Sequence, residues 1–132
     1  MKTTSEKITQ KDVAKQRKPF YESLGLSKRR NYLYCIEREY AVPECIATAI
    51  VVRYYLDDRT TVRLGSIYTH LEYSTLVYPL KHKDNPSKDG FFRLNYFYIY
   101  DYSEDGVKES LEREINDTET RLKNVFGLER IS

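Results

Sequence analysis

Apolar residues recur along the chain at two periods, and the changes of period mark the expected elements. Over residues 104–126, Val107, Leu111, Ile115, Leu122 and Val125 keep one helical face, with Ser103 placed to cap it, Glu104 and Asp105 in the first turn, and Gly127 to close it. This predicts a C-terminal amphipathic helix of about six turns. From Leu111 the spacing is heptad-like, which makes Leu111, Ile115, Leu122 and Val125 a candidate dimer seam; packing on the domain's own core is the competing use. Upstream, Phe92, Leu94, Tyr96, Tyr98, Tyr100 and Tyr102 alternate at strand period with Arg93, Asn95, Phe97, Ile99 and Asp101 between them. Leu76–Leu80, with Pro79 arguing for an edge, and the turn-rich stretch 84–90 complete a hairpin. Its aromatic face is expected to be core, and the lysines flanking its turn the working surface.

The first half of the chain is harder to read. Thr9 with Asp12 three residues on suggests the start of a helix that Pro19 interrupts or restarts and Gly25 ends. Tyr32, Leu33, Ile36 and Tyr40 fall at helical spacing after Ser27, predicting a second helix over about 28–40 that Pro43 stops. Residues 44–73 support two assignments. Ile46, Ile50 and Tyr54 lie four apart, as in a helix, whereas Ile50–Leu56 and Thr60–Leu64 are β-branched and aromatic around a turn at Asp57–Arg59, as in strands.

Length and composition narrow the class. The 132 residues fit one domain, with residues 1–8 a disordered basic arm and 9–132 folded. Thirteen tyrosines and five phenylalanines supply large side chains that suit a sheet with one wet face. Cys35 and Cys45 have neither metal-site spacing nor partners for a disulfide framework, so both are expected as buried free thiols in a reducing compartment. No apolar run is long enough to span a bilayer and no signal-like segment opens the chain, which predicts a cytoplasmic protein without a membrane partner. Residues 1–30 hold nine basic and three acidic residues, against 13 basic and 17 acidic in the rest. A basic front end favours polyanions through counterion release, and it also serves simply as a solvated tail.

Catalytic signatures are thin: two histidines, no phosphate-binding loop, and acids interleaved with bases on the last helix. The expectation is a non-enzymatic protein with no metal and no cofactor. The order of elements points instead to nucleic acid. Val62-Arg63-Leu64-Gly65-Ser66-Ile67-Tyr68-Thr69-His70-Leu71-Glu72-Tyr73 reads as a recognition helix, followed by a basic hairpin and a long helix, which is the order of a winged helix. Gly65-Ser66-Ile67-Tyr68, His70-Leu71-Glu72 and Leu76-Val77 before a polar hairpin resemble the PadR-type winged-helix repressors and, more loosely, the bacterial replication-terminator proteins. The resemblance covers residues ~62–126. It implies that Ile67 and Leu71 anchor the recognition helix, that Arg63, Ser66, Thr69 and His70 face DNA, that Lys81, Lys83, Lys88 and Arg93 are wing contacts, and that the last helix dimerises. Lys28, Arg29 and Arg30 add a phosphate-gripping cluster.

The fold class expected is therefore α+β: a winged helix-turn-helix over about 28–102 with a dimerisation helix over about 103–126. Its alternative is an antiparallel β-meander with flanking helices. The matching functions are sequence-specific double-stranded DNA binding by a homodimeric transcriptional regulator, or a protein–protein assembly module such as a phage or mobile-element accessory protein.

Overall fold

Thr9 opens the first helix as its spacing predicts. Its hydroxyl accepts from the Asp12 amide and the Asp12 carboxylate accepts from the Thr9 amide, a reciprocal cap for α1 (Gln10–Ser23). The helix runs through Pro19, which sits on its exposed side, and the chain then turns at Gly25 (φ 88°). The computed structural model describes residues 8–84 and 91–132, so the predicted arm 1–8, apart from Ile8, Lys88 and most of the turn 84–90 lie outside the described residues.

The chain then enters a sheet. The helix expected at 28–40 is instead β1 (Ser27–Arg30) and β2 (Leu33–Val42). Leu33, Ile36 and Tyr40 satisfy a helical period, but Tyr34, Ile36, Tyr40 and Val42 satisfy a strand period equally well. The sheet face decides, because Tyr34 and Tyr40 are buried in the core with Ile36 and Val42 packed against it. Pro43 and Glu44 (φ 68°) form a two-residue turn joining Val42 to Cys45, with proline and a positive φ where a type II turn puts them.

The ambiguous segment is strand throughout: β3 (Cys45–Asp58), β4 (Thr61–Arg63), β5 (Ser66–Tyr68) and β6 (Leu71–Pro79). The proposed recognition helix over 62–73 is thus absent, and the winged order fails at the element it depends on. Leu64 (φ 52°) and Gly65 (φ 80°) explain why: two successive left-handed residues make a tight hairpin turn between β4 and β5, which no helix accommodates. After a 3₁₀ turn (Leu80–His82) come β7 (Phe92–Ile99), α2 (Glu104–Phe126) and the short β8 (Glu129–Arg130).

The main sheet is antiparallel in the order β1-β2-β3-β6-β7, with β8 added to β2 at Tyr40 and Ala41; β4 and β5 pair only with each other. β3 is central, and from Val51 to Tyr54 it is buried on both faces. Both helices cover one face. Tyr21 of α1 and Val107, Leu111, Ile115 and Leu122 of α2 pack on Tyr34, Tyr40, Val52, Tyr54, Leu56, Leu71, Tyr73 and Ile99. The fold is therefore α+β with a mostly antiparallel sheet.

α2 has the predicted boundaries, with Ser103 capping through the Gly106 amide and Gly127 left-handed (φ 66°). Its apolar stripe takes the second of its two expected uses, packing on the chain's own core. Leu111, Ile115 and Leu122 are buried against the chain's own sheet, so they are not a free dimer seam, and only Val125 of that set is exposed. Burial of roughly 1.5–3 kcal/mol per such side chain accounts for the choice.

Candidate functional site

The two edges of the sheet are finished differently, and the site follows from that. The outer edge of β2 is covered by β1 at one end and by the C-terminal residues at the other, where the Ile131 amide donates to the Glu39 carbonyl at 2.8 Å. β7 has β6 on one side and no described strand on the other. In an antiparallel pair every second residue turns its N–H and C=O away from its partner, so β7 presents a row of backbone donors and acceptors outward.

Side chains reinforce the opening. Phe97 packs on the core and Ile99 is buried under α2, while Phe92, Tyr96, Tyr98, Tyr100 and Tyr102 are all exposed, at 64, 42, 45, 76 and 47%. This inverts the expectation that the tyrosine face is core. The extra residue at Leu94, where the β6–β7 register slips between Thr75–Asn95 and Leu76–Arg93, brings Arg93 over the Tyr96 ring at 4.9 Å. Three of the exposed rings contact one another. Tyr96 and Tyr98 meet edge to face at 5.8 Å, Tyr98 and Tyr100 at 6.3 Å, and the His70 ring lies 5.2 Å from Tyr98.

Glu72 organises this row from β6. Its carboxylate accepts from the Tyr96 hydroxyl at 2.6 Å, pairs with His70 at 2.8 Å, and lies 3.5 Å from Arg59, which also holds Asp57 at 2.8 Å. The Tyr96 hydrogen bond, then those of His70 and the charge of Arg59, keep Glu72 below the usual carboxylate range despite its partial burial. The same hydrogen bond, with one from Tyr98, holds the Tyr96 phenol protonated well above its ordinary range. The result is a run of mutually contacting tyrosines, one of them tied to Glu72, along an edge that no described strand covers and whose Tyr96 amide donates to the Asn95 side chain at 2.9 Å.

The residues expected to face DNA divide into groups. Arg63, Thr69 and His70 come together with Arg59, Thr61 and Tyr68 around a groove of about 530 Å³ beside the β4–β5 hairpin, with Ser66 exposed across from Arg63. Lys28, Arg29 and Arg30 are exposed on β1, whose pairing with Tyr34 and Cys35 puts them at the same end of the sheet. The wing set separates: Lys81 is exposed, whereas Lys83 is tied to Glu39 at 2.8 Å and Glu37 at 3.5 Å. Ile67 is exposed rather than an anchor, and Leu71 is core but as the first residue of β6, with no recognition helix for it to anchor.

Buried polar groups elsewhere fasten elements together. Asp58 accepts from Arg17 at 2.9 Å and from the Tyr21 hydroxyl at 2.6 Å, pinning α1 to the end of β3. Glu119 of α2 accepts from Arg38 at 3.2 Å and from the Tyr40 hydroxyl at 2.7 Å, and Tyr40 is 2.7 Å from the Tyr54 hydroxyl. On the face away from the helices, Arg53 donates to Glu37 at 2.7 Å and to the Lys83 carbonyl at 2.9 Å, and lies over Tyr78. Each set is internally satisfied, and none leaves a nucleophile beside a base in an open cleft. Among the described residues no group of His, Cys, Asp or Glu has metal-binding geometry. A groove of about 720 Å³ runs between the helices, floored by Phe20, Leu24, Ile36, Leu111 and Ile115. Among the described residues no helix is long and apolar enough to cross a membrane.

Comparison with protein-family models, with curated proteins and with solved structures gave no match.

Proposed function

We propose that the chain is a non-enzymatic assembly module whose β7 edge takes up an extended polypeptide strand. The observation that carries this reading is the coincidence of an edge that no described strand covers with exposed Phe92, Tyr96 and Tyr98 on β7 and exposed Tyr100 and Tyr102 just after it. Strand addition uses main-chain hydrogen bonds for affinity and alternate side chains for specificity, and Tyr with Arg is the composition that dominates protein interfaces. The test uses fluorescent synthetic strand peptides with alternating aromatic side chains, measured by anisotropy. The wild-type chain binds at least one of them, and Tyr96→Lys with Tyr98→Lys weakens it by about tenfold or more. Equal titrations for both proteins, at dilutions where neither self-associates, overturn the reading.

A second reading is duplex-DNA binding by a regulator, through the β4–β5 hairpin instead of a helix. It is favoured by the groove that gathers Arg59, Arg63, His70 and two threonines, although Asp57 and Glu72 already hold Arg59 and His70. A two-stranded ribbon fits the major groove, and Lys28, Arg29 and Arg30 would then grip backbone. Each phosphate contact contributes about 0.9 to the salt slope of binding, so Arg63→Ala lowers that slope by about one contact. Duplex affinity that ignores salt sinks this reading.

A further inference from the structure

We infer that the strand β7 accepts is β7 of a second copy of this chain, paired antiparallel across a two-fold axis, so that two sheets run on as one. This rests on the proposed strand-binding role of the edge and names its partner.

Three observations support a second copy. The first is charge. Arg93 is the sole charged residue between Phe91 and Tyr100, and the acidic group Asp101, Glu104 and Asp105 follows at the other end. Antiparallel pairing brings the Arg93 end of each strand to the acidic end of the other, whereas parallel pairing sets like against like. The Ser103 amide and hydroxyl hold Asp101 ionised, below the usual carboxylate range, so its charge is present at neutral pH. The second is register. An alignment that sets Arg93 level with Asp101 also sets Tyr96 across from Tyr98, twice by the two-fold, and Tyr100 across from Leu94; aromatic cross-strand pairs are favourable.

The third is area. Aromatic side chains offer roughly 150–250 Å² each, so Phe92, Tyr96, Tyr98, Tyr100 and Tyr102 at their observed exposures provide on the order of 500 Å² per copy. Two copies therefore bring at most about 1,000 Å² of aromatic surface, which places the pair at the small, weaker end of specific interfaces. The bulge at Leu94 lies towards one end of the strand and leaves Asn95–Ile99 in regular register with β6. A two-fold arrangement closes on itself and leaves no β7 edge for further chains.

Sedimentation equilibrium on the full chain tests this. Wild type is expected at twice the 15.7 kDa chain mass, and Tyr96→Lys with Tyr98→Lys at the single mass with an unchanged circular dichroism spectrum. In a Cys45→Ser background, a mixture of Tyr96→Cys and Tyr98→Cys chains forms mixed disulfide dimers faster than either alone, which reports the direction and register of pairing. A wild type that stays monomeric at about 100 µM and still binds strand peptides overturns self-pairing alone. A dimer that persists in the double-lysine variant, with peptide titrations also unchanged, overturns the edge as a binding site altogether.

Discussion

The two edges of this sheet show opposite solutions to one problem. On the β1 side the terminal strand has four residues, carries Lys28, Arg29 and Arg30 in exposed positions, and slips register between Lys28 and Arg30. Short length, a run of like charge and an irregular ladder each discourage another strand from docking. The β7 side has eight residues, one charge and a row of exposed rings. Both edges end a sheet, so edge position alone does not create a docking surface; what differs is whether the backbone is screened by charge and covered by chain.

The largest test of this contrast strikes the support behind the closed edge. Asp58→Ala leaves Arg17 and the Tyr21 hydroxyl without their shared acceptor, and the loss is expected at about 3 kcal/mol, read as a lowered urea midpoint. A loss below about 1 kcal/mol would mean that α1 grips the sheet by its apolar contacts alone.

Acid separates the edges more gently. Burial raises Glu37, but the Arg53 hydrogen bond and the charges of Arg53 and Lys83 outweigh it, so Glu37 and Glu72 both titrate below their ordinary value of 4.5. A depressed carboxylate contributes stability that is complete above its unfolded value and is lost as pH falls through its folded one. Stability is thus expected to hold down to about pH 5 and to decline below about 4.5. Glu72→Gln removes the share belonging to the open edge and flattens that decline, which acid titration of the urea midpoint measures. An unchanged profile would show that Glu72 and its partners add nothing to folding.

Surface changes come next. At dilutions where the chain is monomeric, Tyr96→Lys with Tyr98→Lys should move stability by about 1 kcal/mol or less, since both side chains are already half exposed. The reciprocal exchange, Lys28→Tyr with Arg30→Tyr, should let the closed edge associate, seen as species larger than a dimer; none would appear if strand length, rather than charge, keeps that edge apart. The smallest effect is on thiols. Cys45 is exposed, correcting its expected burial, and should react with iodoacetamide at once. Burial pushes the Cys35 thiol up to about 12, and it lies opposite Ser27 of β1, so its slow labelling reports how often the closed edge frays.

Legibility in the sequence followed the range of the interactions. The Thr9–Asp12 cap, Ser103 and Gly127 were readable because each is decided within four residues. The existence of β7 was readable too, since alternation needs only neighbours. Which of its faces is buried was not, because that depends on the sheet and helices around it. Numbers of aromatic residues favoured the tyrosine face, yet the core took Phe97 and Ile99. The available signal was chemical: neither has a polar atom to solvate, whereas every tyrosine hydroxyl prefers water or a partner. Residues 44–73 failed for the same reason of range. Ile50 and Tyr54 fit a helical face locally, and only pairing with β2 and β6, whose residues lie far off in sequence, fixes them as strand.

The chain of hydroxyl and carboxylate groups from Tyr54 through Tyr40 to Glu119 acts on a different quantity, the position of α2 along its own axis. An apolar stripe alone tolerates sliding, because a shift of one turn sets leucine where isoleucine was and keeps most of the contact area. One turn of travel, about 5.4 Å, would carry Glu119 beyond reach of both Arg38 and Tyr40 and leave the buried Tyr40 hydroxyl without its carboxylate acceptor. The polar chain thereby selects a single setting of the helix among several that grease alone would permit, and with it the point from which the Ser103 turn launches the end of β7.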